Sequence, residues 1–143
     1  MEITIYTDGA CSGNPGLGGW GVVAIIPDKE PIYLKGGLDN TTNNQMELTA
    51  VIEGLRYFKE YQKILIITDS KYVINGIETW IKNWKKNGWK TASKKPVKNQ
   101  ELWQKLDKEI LKHSIKWEWV KGHAGNENNE KADYLARQFI EEN

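Results

Sequence analysis

One cysteine, Cys11, stands alone among 143 residues, which excludes an internal disulfide and leaves too little sulfur for a structural zinc site. Long apolar runs are missing as well. The two longest, residues 22–26 and 64–67, fall far short of the ~18 residues that a membrane span needs, so no membrane association is expected. The opening Glu2-Ile3-Thr4-Ile5-Tyr6 lacks the basic segment and apolar stretch of a secretory signal, and a cytoplasmic location is the expectation. A surplus of charge of one sign is absent too: the formal net charge of +1 tells nothing of partners. No repeat, linker or low-complexity stretch divides the chain, whose length lies within the ~100–200 residues of a single domain. With 39% apolar and 27% charged residues, the composition is that of an ordinary soluble globular fold.

Residues 2–8 alternate as a strand does, and a glycine-rich turn is expected from Gly9 to Gly19. Residues 20–26 and 32–36 read as two further strands joined by Pro27-Asp28-Lys29, which makes an antiparallel meander. A helix is predicted over 44–59, because Leu48, Val51, Ile52, Leu55 and Phe58 form one apolar stripe. Residues 64–68 are almost wholly apolar, the mark of a strand buried on both faces. Short helices at 70–75, 78–86 and 99–111, a strand at 115–120 and a last helix at 129–141 complete the order β-β-β-α-β-α-α-α-β-α. A meander followed by strand–helix alternation implies an α/β fold, a mixed sheet with helices packed on it.

Four acidic residues fall at the ends and in the first turns of these elements. Asp8 ends the first strand, Glu47 lies in the first turn of the long helix, Asp69 ends the buried strand, and Asp133 lies early in the last helix. Each has an ordinary explanation. Asp8-Gly9 makes a turn, Glu47 suits a capping box with Asn44, Asp69 suits an N-cap before Ser70, and Asp133 pairs with Arg137 four residues on. Together they suggest more. Ligands bind at the carboxyl ends of strands in open sheets, and neighbouring strands would set Asp8 and Asp69 side by side. Clustered carboxylates repel, and burial makes each charge costlier. Bound cations resolve the conflict, and an all-oxygen set suits Mg²⁺ or Mn²⁺ rather than zinc. Two such ions ~3.5–4 Å apart activate a water and steady a leaving oxygen at phosphorus. Asp8, on the central strand, is the expected bridge between them.

The charge is unevenly spread. From Lys82 to Lys98 the chain carries seven lysines and no acidic residue, with Trp84 and Trp89 among them and Trp80 just before. Lysines attract phosphates and indoles offer stacking faces, so nucleic acid is one reading; a solvated helix face with tryptophans turned inward is the other. His123 lies between glycines in Lys121-Gly122-His123-Ala124-Gly125, a setting in which an imidazole could swing and relay protons, or simply sit in a loop. His113, at a lysine-bearing helix end, is expected to serve as a favourable C-terminal charge.

These segments resemble the successive motifs of the type 1 ribonuclease H family. They are Thr7-Asp8-Gly9-Ala10-Cys11 with Gly13-Asn14-Pro15-Gly16, Thr41-Thr42-Asn43-Asn44-Gln45-Met46-Glu47, Thr68-Asp69-Ser70, Trp84-Lys85-Lys86-Asn87-Gly88-Trp89-Lys90, Trp117 to Gly125, and Asn129-Glu130-Lys131-Ala132-Asp133. The match runs in order from residue 3 to about 140. It implies a single ribonuclease H domain over 1–143, with the ribonuclease H-like fold: a five-stranded mixed sheet, meander plus parallel strands, flanked by helices. It implies an endoribonuclease that hydrolyses the RNA strand of RNA–DNA hybrids, leaving 3′-hydroxyl and 5′-phosphate ends. Asp8, Glu47, Asp69 and Asp133 would hold two Mg²⁺ ions, with Mn²⁺ able to substitute, and His123 would handle the proton. The 2′-hydroxyls of the shallow RNA groove distinguish the strands, and Asn14, Asn44 and Glu47 would approach them. Thr42, Asn43 and Asn99 would bind a DNA phosphate, Tyr72 and Trp80 would line the DNA groove, and Trp84, Lys85, Lys86, Trp89 and Lys90 would form the basic protrusion.

Two departures stand out. Asn40 occupies a position where many relatives carry a basic residue, and Asn126-Glu127-Asn128 makes the loop after His123 more polar. The rival from another class is a non-catalytic RNA–DNA hybrid-binding module. A monomer with the hybrid as partner satisfies everything in the sequence.

Overall fold

A computed structural model describes residues 2–91, 93–122 and 124–143. Strands β1 (Glu2–Ser12), β2 (Gly16–Ile25), β3 (Ile32–Thr41), β4 (Lys63–Thr68) and β5 (Ser114–Trp119) form one sheet in the order β3-β2-β1-β4-β5. The meander β1–β2–β3 is antiparallel, and β4 and β5 add in parallel beside β1. The expected five-stranded mixed sheet is therefore present, with β1 at its centre.

Helices α1 (Asn43–Arg56) and α4 (Gln100–Ile110) belong to the core on one face of the sheet, where Ile5, Val22 and Ile66 meet Leu48, Val51, Leu55, Trp103 and Leu106. The last helix, α5 (Glu127–Glu142), covers the other face through Ala132 and Leu135, against Val23 and Tyr6. Neighbouring Val22 and Val23 thus serve opposite layers, as period-two strand geometry requires.

Several boundaries differ from the sequence expectation, for identifiable reasons. The stretch expected as a glycine-rich turn is mostly strand: β1 continues to Ser12, β2 begins at Gly16, and Asp8 pairs with Gly21 inside the ladder. The glycines are there for close approach. A Cβ on Gly9 would stand 2.5 Å from the Glu47 backbone nitrogen, and one on Gly21 would collide with the Ala132 carbonyl of α5. Likewise β3 runs on to Thr41 through Gly36 and Gly37.

Helix α1 is capped by Thr42, whose Oγ1 accepts from the Gln45 N–H at 3.2 Å, so Asn44 is not the cap and Glu47 falls in the second turn. Ser70, rather than Asp69, caps α2 (Lys71–Asn75), its Oγ accepting from the Val73 N–H at 3.2 Å. The two helices expected at 70–86 are continuous. Between α2 and α3 (Ile81–Lys86) lies a π-helical turn, Gly76–Trp80, and a Cβ at Gly76 would strike the fully buried Trp103 ring. His113 is no exposed helix-end charge. It is buried at the start of β5, and its Nδ1 accepts from the Gln62 N–H at 3.2 Å.

Candidate active site

The sheet register brings two carboxylates together. β1 and β4 are parallel with Thr7 opposite Thr68, so Asp8 and Asp69, each one residue further, emerge side by side. Ser70 takes the capping task, which leaves the Asp69 carboxylate free of it. Trp119 at the end of β5 donates its indole N–H to the Asp69 carbonyl at 3.0 Å and fixes this strand end. Glu47 arrives from α1, over Gly9. One oxygen from each of Asp8, Glu47 and Asp69 lies within 4.8 Å of the others.

Asp133 stands at the margin. Its Oδ2 accepts from Arg137 Nε at 3.0 Å, the pair anticipated from the four-residue spacing, yet its charge is felt by both Asp8 and Glu47. Gly122 passes close by: a Cβ there would lie 2.7 Å from Asp69 Oδ2, so a side chain at this position would push the Asp69 carboxylate aside. His123 lies outside the described residues.

The electrostatics are severe. Asp8 is only 4% exposed, and burial first, then the charges of Glu47 and Asp69 and the presence of Asp133, push its carboxyl up to about 11. Glu47 is raised well above the usual carboxylate range by burial and by Asp69, although hydrogen bonds from the Asp8 side chain and the Gly9 backbone oppose the shift. Glu47 Oε1 is buried with no hydrogen-bond partner among the described residues. Such an oxygen, inside an all-carboxylate cluster, fits a hard divalent cation: positive charge would satisfy the orphaned acceptor and remove the repulsion together.

Helix α2, which follows Asp69 in the chain, contributes Tyr72 to a groove. Tyr72, Trp80, Asn83, Trp84, Thr91, Val97 and Lys98 line an apolar hollow of about 350 Å³. Behind it runs an aromatic train, with Trp84 5.9 Å from Trp80, 5.4 Å from Trp103 and 6.3 Å from Trp89, measured between ring centroids. Each ring packs on the core cluster, as the inward-turned reading expects, while Trp80 and Trp84 also line the groove. Trp89 backs Trp84 and does not line the hollow. Lys86 and Lys90 are exposed, whereas Lys85 Nζ is engaged by Asp107 at 3.3 Å.

Asn14 and Asn43 are brought together: Asn14 Oδ1 accepts from the Asn43 N–H at 3.2 Å, tying the β1–β2 turn to the start of α1, with Asn44 exposed beside them. Asn99 is linked to Tyr72 and to Gln45. Gln45 and Trp103 are the residues that sequence reasoning passed over. Gln45 was within reach, since Thr42-x-x-Gln45 has the spacing of a capping box.

A mixed five-stranded sheet whose central strand carries a buried carboxylate, joined by acidic groups from the next strand and from a helix, defines a class: α/β proteins of the ribonuclease H kind. The RNase H family model matches residues 1–141. The ribonuclease H of Rhodopseudomonas palustris (strain TIE-1) is 57% identical over 141 residues, covering 99% of this chain and 90% of its own. The crystal structure of LC9-RNase H1, a type 1 RNase H with the type 2 active-site motif, superposes with a TM-score of 0.84 at 33% identity, over 96% of this chain and 71% of that one. LC11-RNase H1, solved in complex with RNA/DNA hybrid, shares the fold with a TM-score of 0.72 at 22% identity, over 98% and 97%. The chain belongs to the RNase H family, and the enzyme class expected from its motifs, ribonuclease H, is borne out.

Proposed function

We propose that the chain hydrolyses the RNA strand of RNA–DNA hybrids by two-metal-ion catalysis, leaving 3′-hydroxyl and 5′-phosphate ends. The observation that carries this reading is the convergence of Asp8, Glu47 and Asp69 within 4.8 Å, from three separate elements, with one Glu47 oxygen unpartnered. Asp8, Glu47, Asp69 and Asp133 would hold the ions, Mg²⁺ with Mn²⁺ able to substitute. Bound there, the cations supply a water of lowered pKa and offset the charge that gathers on phosphorus.

The chain's own residues do the rest. Asp8, lying between the other acids on the rigid central strand, aligns the cluster. Arg137 holds Asp133 at 3.0 Å and sets its orientation. His123 takes or returns the proton. The backbone of the β1–β2 turn, with Asn14 and Asn44, meets the 2′-hydroxyls that mark the RNA strand. Thr42, Asn43 and Asn99 take a DNA phosphate, and the DNA strand lies along Tyr72, Trp80 and Trp84, where a deoxyribose packs on indole. Lys86 and Lys90, with Lys85 and Trp89 in support, form the outer basic surface.

The test uses end-labelled RNA paired with DNA, paired with RNA, and single-stranded, each incubated with Mg²⁺ with and without chelator. Cleavage of the hybrid alone, lost on chelation, is the expected result. Asp8→Asn should abolish cleavage and leave hybrid binding near normal; turnover of this variant at the wild-type rate would overturn the metal assignment. Intact binding with no cleavage by the wild type would point to the non-catalytic module instead.

A further inference from the structure

Tyr72 stands at the end of a hydrogen-bond chain that joins β3, α1 and the start of α4. The Thr41 hydroxyl donates to Gln45 Oε1 at 2.8 Å, Gln45 Nε2 donates to Asn99 Oδ1 at 3.1 Å, and Asn99 Nδ2 donates to the Tyr72 hydroxyl at 3.0 Å. The same phenol oxygen accepts from Trp103 Nε1 at 3.1 Å.

The direction of this chain decides its use. The carboxamides of Gln45 and Asn99 fit the same spaces turned end for end, so the two ends must set the polarity. An indole N–H only donates, and Trp103 therefore always occupies one lone pair of the phenol oxygen. At the far end Thr41 is 1% exposed, and among the described residues Gln45 Oε1 is the acceptor that its hydroxyl proton has. Turning both carboxamides would aim Gln45 Nε2 at Thr41 and strand that proton in the interior, which burial penalises heavily. Running outward from Thr41, the chain fills both lone pairs of the Tyr72 oxygen. Its O–H is then a donor only, on a residue whose side chain lines the groove with Trp80 and Trp84.

We propose that Gln45, with Thr41 behind it, is a positioning residue that holds the Asn99 amide toward Tyr72 and thereby commits the Tyr72 phenol to donate to a backbone oxygen of the DNA strand. With the opposite polarity Asn99 Oδ1 would consume the phenol proton, and a phosphate or sugar oxygen of the bound strand would meet a lone pair that repels it. This inference rests on the hybrid-cleaving reading above.

Gln45→Glu is the sharpest probe. It keeps the shape, but a carboxylate only accepts, so Asn99 must turn its amide away from Tyr72. Steady-state cleavage of a hybrid by the full chain with Mg²⁺ is compared for wild type, Q45E, Y72F and the double variant, with thermal unfolding confirming that each is folded. Each single variant should raise KM roughly 3–10-fold, the scale of one lost hydrogen bond, with kcat within about twofold of wild type. The double variant should be no worse than the worse single one, because both remove the same donated proton. The uncharged T41V should raise KM in the same direction and have no effect in the Y72F background.

Multiplying effects of Q45E and Y72F would mean that the new charge acts independently of Tyr72, and would overturn the positioning role. So would an unchanged KM in Y72F or T41V, or a loss confined to kcat. A wild-type chain that leaves the hybrid uncut fails at the underlying reading, before any variant is compared.

Discussion

Asp8 carries an unusual burden for a single side chain: it is buried, faces two other acids and lies inside a hydrogen-bonded strand. Its folded carboxyl keeps a proton up to about 11, while in the unfolded chain it ionises from its ordinary 3.8. Between those values the unfolded state binds fewer protons, so this group's contribution to stability falls as pH rises. In chelator, Asp8→Asn should therefore be more stable than wild type at pH 7–8, by about 3–6 °C in Tm, with the gain fading toward pH 3. Mg²⁺ should narrow the gap by stabilising the wild type alone. Thermal melts across pH, with and without Mg²⁺, check this; an Asn variant no more stable than wild type at pH 8 in chelator would contradict the buried-charge account. The acids themselves were legible in the sequence because motif and element ends coincide. Their surroundings were not: Asp8-Gly9 has the chemistry of a turn, and nothing local reveals that Gly9 is small so that α1 can press Glu47 against the strand. The Gln45–Asn99 bond, spanning 54 positions, is invisible to any local pattern.

At the scale of elements, apolar patterning located every strand and most helices, because the stripe of α1 and the alternation of β1 reflect burial directly. It failed where tertiary contact overrides local chemistry. Gly18 and Gly19 look like loop residues and are strand, since side chains there, as at Gly21 further along β2, would collide with α1 or α5 or with the ends of their neighbours. Gly21→Ala tests this. The added methyl meets the Ala132 carbonyl and the Leu135 side chain, so α5 must shift. A loss of about 1–3 kcal/mol is expected, with a fall in activity because α5 also carries Asp133. Denaturant unfolding measures the first and hybrid cleavage the second; a fully stable variant would show that α5 is not seated as described.

Across the whole molecule the near-zero net charge conceals a polar division, with acids gathered at the sheet's centre and lysines along the segment from Lys82 to Lys98. Affinity for the hybrid should fall linearly with the logarithm of salt concentration, in proportion to the phosphates neutralised. Lys86→Ala, removing an exposed amine, should reduce the slope by roughly 0.9. Lys85→Ala should change it less, because Asp107 already holds that amine at 3.3 Å. Binding titrations over a range of salt distinguish the two, and equal slopes for both variants would mean that the ion pair opens on binding. No helix among the described residues is long and apolar enough to cross a membrane.

The π-helical turn between α2 and α3 has a rotational consequence. An α-helix advances about 100° around its axis per residue, so Tyr72 and Trp80, eight positions apart, would point about 80° away from each other on a regular spiral. The wide turn absorbs one residue and brings them to within about 20°, with Trp84 one turn further along the same side. Gly76, where Trp103 leaves no room for a side chain, sits where the coil widens. The turn works as a phase correction, and its reading frame matters more than its composition. Straightening it into a regular helix of the same length would part the two aromatic walls by about 80°, whereas removing one residue together with the wide turn would leave them within about 20° of each other.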